Sequence, residues 1–115
     1  MRASSVSDHL NDWPSQKAQR RELGDQLDQR REVDHFLYFP RRRHAKSAAR
    51  DLAASGFRVA VQPGLRRTAV AASRDDALTD ADVARLTHEL VAVAQAHGGY
   101  YDGFGGIIVP AADGL

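Results

Sequence analysis

Alternating and helically spaced apolar positions succeed one another along this chain. From Val33 to Phe39 the residues alternate, with His35, Leu37 and Phe39 on one side and Asp34, Phe36 and Tyr38 on the other. Large side chains on both sides predict a central strand. Pro40 ends it. A helix is expected from Arg41 to Ser55, with Ala45, Ala48, Ala49 and Leu52 as a stripe of small and medium side chains that can lie close to a sheet. Gly56 suits the left-handed position after a helix. Phe57 to Gln62 alternates as a half-buried strand, Pro63-Gly64 turns the chain, and Arg67 to Ser73 returns as the second arm of a hairpin. Thr79 with Asp82 reads as a capping box opening a helix from Asp80 to His97, whose face carries Val83, Leu86, Leu90 and Val93. Gly98-Gly99 stops it. Tyr100 to Val109 is the last strand, with Gly103, Gly105 and Gly106 predicting a bulge or a close backbone approach.

Strand, helix, strand, strand, helix, strand is two βαβ units. Folded together they predict an α+β, ferredoxin-like βαββαβ domain: a four-stranded antiparallel sheet with two helices on one face. Right-handed crossovers give the order 4-1-3-2, so the first and last strands are neighbours. The predicted domain spans residues 32–110, followed by a tail at 111–115. Residues 1–31 read as an N-terminal arm, frayed to Asp12, with a weak helix from Ser15 to Leu23 that starts beside Pro14 and stops at Gly24-Asp25.

The 115 residues allow a single core. With no cysteine, disulfides and thiolate metal sites are excluded. No apolar run approaches the roughly 18 residues of a membrane span, and no secretory signal follows Met1, so a cytoplasmic location is expected. The net charge of +1 conceals an asymmetry. Residues 1–50 hold 11 cations against 7 carboxylates, and residues 51–115 hold 5 against 8.

Six of the seven Phe and Tyr residues fall in Asp34 to Pro40 and Tyr100 to Gly106; Phe57 is the seventh. Two such concentrations are expected to pair at the centre of the fold. These runs belong to a spaced set: Gly24-Asp25, Val33, His35, Leu37-Tyr38-Phe39-Pro40, Leu52, Gly56-Phe57, Val59, Thr79, His97-Gly98-Gly99, and Tyr101-Asp102-Gly103-Phe104. The set resembles the regulator of ribonuclease E activity B family over about Leu23 to Val109. The resemblance implies the ferredoxin-like fold and a bacterial regulator that binds a large RNA-processing ribonuclease and damps its cutting by protein–protein contact. Unlike the strongly acidic best-known member, this chain is near neutral and carries Arg41-Arg42-Arg43 directly after the Pro.

No enzyme chemistry is expected. The five histidines lack ligand spacing, with His88 and His97 nine apart on opposite sides of one helix and the others on separate segments, so neither a metal nor a cofactor is expected, and His35 reads as a packed strand residue. Asp102 reads as a bulge residue holding local backbone hydrogen bonds. Phe36, Tyr38, Tyr101, Asp102 and Phe104 form the candidate partner-contact set, on a sheet face covered by the N-terminal arm or used in self-association as a homodimer. Arg41, Arg42 and Arg43 form a basic edge, expected near Asp102 and the end of the second helix. That edge supports an alternative, a small-ligand or nucleic-acid binding domain. Direct RNA binding by the sheet is not expected, because the third strand has no aromatic residue to stack a base.

Overall fold

The computed structural model describes residues 5–111. Its elements run α1 (Val6–Glu22), β1 (Arg31–Phe39), α2 (Arg42–Ala54), β2 (Arg58–Pro63), β3 (Thr68–Asp76), α3 (Asp80–Ala96) and β4 (Tyr100–Gly106). The four strands form one antiparallel sheet in the order β2-β3-β1-β4. This is the expected 4-1-3-2 order read from the other edge. β1 is central, as its two-sided pattern requires. The two aromatic runs pair, with Tyr38 opposite Tyr100, Leu37 opposite Tyr101 and His35 opposite Phe104.

Strand alternation divides the sheet into two faces. One side of β1 is Arg31, Val33, His35, Leu37 and Phe39, all buried. Against it lies a cluster in which Ala45, Ala48, Ala49 and Leu52 of α2 meet Leu90, Val91 and Ala94 of α3. Small side chains on α2 let its backbone approach the sheet. Thr79 caps α3 as expected, its side chain accepting from the Asp82 N–H. Gly98 turns out of α3 with φ +75°, and a Cβ on Gly99 would collide with the Tyr38 carbonyl and the Phe39 ring. The glycine pair therefore lets the chain drop directly from α3 onto β1.

The N-terminal arm departs from the expectation. Instead of fraying to Asp12, the chain is helical from Val6, and Pro14 lies inside the helix rather than at its start. Ser5 caps it, accepting from the Asp8 N–H. Few apolar residues are needed, because they are large and correctly spaced. Trp13 is buried with Val33, Leu78, Val83 and Leu86, and Leu10 packs beside them. Its indole N–H donates to Asp80 at 2.9 Å. Thus α1 joins α2 and α3 on the same side of the sheet, and it does not cover the open face as one expectation had it. The expected tail beyond residue 111 and the first four residues lie outside the described residues.

A buried ionic clasp closes this end of the fold. Gly24, with φ +81°, turns the chain out of α1 and delivers Asp25 to Arg20 and Arg31, each 3.0 Å away. Both the Asp25 and Arg31 side chains are fully buried. Asp25 also accepts from the Val109 N–H, and Arg31 donates to the Ile107 and Gln26 carbonyls. Burial pushes the Asp25 carboxyl up, but Arg31, the Val109 N–H and Arg20 outweigh it and hold the carboxyl below the usual range.

Candidate contact surface on the open sheet face

With three helices on one side, the other side of the sheet is left uncovered by helices. Phe36 stands on it at 42% exposure, opposite Gly103 on β4 and Ala71 on β3. Small neighbours leave its ring proud of the surface. Asp34 and Ser73 face each other across β1 and β3, and the Ser73 hydroxyl donates to Asp34 at 2.6 Å. Beyond them Arg58 bridges Glu32 at 2.7 Å. At the opposite end of the face the Arg67 guanidinium lies over the Tyr38 ring, 4.0 Å from its centroid, and donates to the Tyr100 hydroxyl. The Tyr38 and Tyr100 rings are 5.4 Å apart.

The five aromatic and acidic candidates do not share one surface. Phe36 and Tyr38 lie on the open face. Tyr101 is on the helix side at 1% exposure. The ring of His9 from α1 packs 4.8 Å from it. Phe104 is half-buried on the same side as Tyr101, with Trp13 6.1 Å away. A bulge causes this division. The register shifts between Phe36 and Leu37, Asp102 is the extra residue, and Gly103 adopts φ +115°. Tyr101 and Phe104, an odd number of positions apart, thereby face the same way. Asp102 itself is exposed, and among the described residues its side chain makes none of the backbone hydrogen bonds expected of it.

Arg41, Arg42 and Arg43 are exposed where α2 begins. The helix start lacks a side-chain cap and an acidic residue in its first turn, so these cations oppose the helix dipole. The expected pairing with Asp102 is absent among the described residues. Asp102 stands opposite the Phe36–Leu37 step, about 13 Å along the strand from Arg41. The α2 start does approach the end of α3, where His44 faces Gly98.

Two residues were missed by sequence reasoning. Arg66 and Arg67 arrive at the same end of the sheet as Arg41 to Arg43, because Phe39 pairs with Thr68 and so sets Pro40 beside Arg67. The register of β3 against β1 is the signal that finds them; residue spacing alone does not.

His35 lies between the two apolar clusters, its ring near Phe57, Tyr101 and Phe104. Its Nδ1 is 2.7 Å from the Tyr101 hydroxyl, and Nε2 is buried without a partner. Burial lowers its pKa to about 4 and pushes that of Tyr101 well up. A fully enclosed ring of this kind packs and orients; it has no access to a substrate.

No helix is long and apolar enough to cross a membrane among the described residues. No curated protein matches the chain. The model of one protein family, regulator of ribonuclease activity B (RraB), matches residues 18–106. That range takes in the last five residues of α1, the Arg20, Asp25 and Arg31 side chains of the clasp, the whole sheet and its glycine pair. The chain belongs to the regulator of ribonuclease activity B family.

Proposed function

We propose that this chain is a non-enzymatic regulator of an RNA-processing ribonuclease of the ribonuclease E type, and that it acts in the cytoplasm by protein–protein contact through its open sheet face. Family membership supplies the class of partner. The observation that carries the surface is Phe36, a large apolar ring 42% exposed on a floor of small residues that includes Ala71 and Gly103. An aromatic anchor on a flat surface with a charged border fits the anatomy of a binding hot spot. Glu32, Asp34 and Asp75 border it on one end, so a partner segment with an apolar side chain and flanking cations is the complement.

The test is titration of the purified ribonuclease with the native chain and with Phe36→Ala. Removing a central anchor is expected to weaken binding by about 2 kcal/mol, some thirtyfold, and to restore ribonuclease cutting in proportion. A variant that binds and inhibits as the native chain does would remove the open face from the contact.

A further inference from the structure

The hairpin end of the open face has a different chemistry from the Phe36 region. Two adjoining hollows of about 360 and 370 Å³ lie there. Phe39, Pro40 and Tyr100 line one, Tyr38, Gln62 and Leu65 are in the other, and Arg66 and Arg67 belong to both. Neither lining contains a carboxylate. Arg66 is exposed and makes no ion pair among the described residues, and Arg41 follows directly on Pro40.

We infer that this end binds a single-stranded polynucleotide, with a base stacked on the Arg67 guanidinium and the adjoining phosphates held by Arg66 and Arg41. Charge selects an anion. The disposition of Arg67 selects among anions. Its guanidinium lies over Tyr38, 4.0 Å from the ring centroid, while one edge donates to the Tyr100 hydroxyl. The edge that would grip a carboxylate in a fork is thus partly used, while a stacked guanidinium is itself a platform for a base. Stacking on such a platform tolerates any base, and phosphate contact supplies affinity without sequence reading. The third strand carries no stacking aromatic, and the hairpin substitutes an arginine from the residue just before it. This site goes beyond the contact with the ribonuclease and requires no ribonuclease to be observed.

The experiment uses the full chain and fluorescently labelled deca-uridylate, with a deca-glutamate peptide and an RNA duplex as competing probes, across a salt series. The single strand is expected to bind. Arg67→Lys, which keeps the charge and loses the plane, weakens binding about tenfold, as loss of one stacked base should. Arg66→Ser makes the salt dependence shallower by about 0.7 in log–log slope, one phosphate on a single strand. Arg58→Ser, at the far end of the sheet, leaves both unchanged. Thermal melts establish that each variant is folded, and Arg66→Ser alone suffices if Arg67→Lys is not. Three results overturn the inference: no binding of the single strand, a deca-glutamate peptide bound as tightly with the same sensitivity to the variants, or a preference for the duplex. Because these measurements omit the ribonuclease, failure here leaves the Phe36 contact standing, and failure of that contact leaves this site standing.

Discussion

His35 shows what a single enclosed side chain does to the whole stability curve. In the folded chain the ring resists protonation down to about pH 4, because burial disfavours the charged form. In the unfolded chain it protonates below about pH 6.5. The unfolded state therefore binds the extra proton between those limits, and stability falls as pH drops from about 6.5 to about 4. The expected loss is about 3 kcal/mol over that interval. Urea unfolding at a series of pH values should show the slope in the native chain and a flattened one in His35→Leu. The Asp25 carboxyl acts in a lower window, since its pKa lies below the ordinary carboxylate value. The packed role of His35 was legible from its place in an alternating strand. Its link to Tyr101 was not, because that depends on the bulge at Asp102, which sets the Tyr101 ring on the same side.

Among the elements, α1 was the hardest to read and β1 the easiest. β1 announces itself by alternation with large residues on both sides. α1 is mostly polar, and Pro14 is a residue usually met in a first helical turn, so its correct length is hidden. The missing amide of Pro14 removes one hydrogen bond, yet Trp13 and Leu10 dock on α3 and β4 strongly enough to hold the helix through it. Trp13 is the only tryptophan in the sequence. Its fluorescence is therefore a direct reporter of α1. Because α1 docks at the margin of the core through a few side chains, Trp13 and Leu10 with His9 and Arg20, its release is expected at lower denaturant than loss of the sheet. The red shift of Trp13 should come with loss of only the α1 share of the helical far-UV circular dichroism, and the remainder should be lost at higher denaturant. Coincident transitions would mean that α1 and the sheet unfold as one unit. The beginnings and ends of the other elements were legible to within a few residues, since Gly, Pro and Thr mark them.

For the whole molecule, sheet order followed from connectivity and handedness, but the pairings that close the fold did not. Arg31 was outside the expected strand and is buried within it, because its charge is met by Asp25. A pair of residues of opposite charge six positions apart gives no sign of whether the two are enclosed together. Asp25→Asn leaves the Arg31 cation enclosed and poorly matched, and is expected to cost about 3–5 kcal/mol in urea unfolding. Adding Arg31→Met should return part of that loss, since the stranded charge is then gone. The basic end was half legible: Arg41 to Arg43 stand out as a run, whereas Arg66 and Arg67 join them only through the register of β3 against β1.

The order of pairing also has a consequence for how the chain is made. β1 is synthesised before every other strand but lies between two later ones, β3 and β4. While a ribosome is still reading through α3, the Leu37 to Phe39 segment can have one hydrogen-bonded neighbour at most, and Asp25 has yet to meet the Val109 amide. A nascent chain stalled before Tyr100 should therefore present an unsatisfied strand margin beside the half-built core, the kind of surface that chaperones recognise and that sticks to its own copies. Release of the segment from Tyr100 to Val109 removes that hazard in one step, by pairing the margin and completing the clasp together.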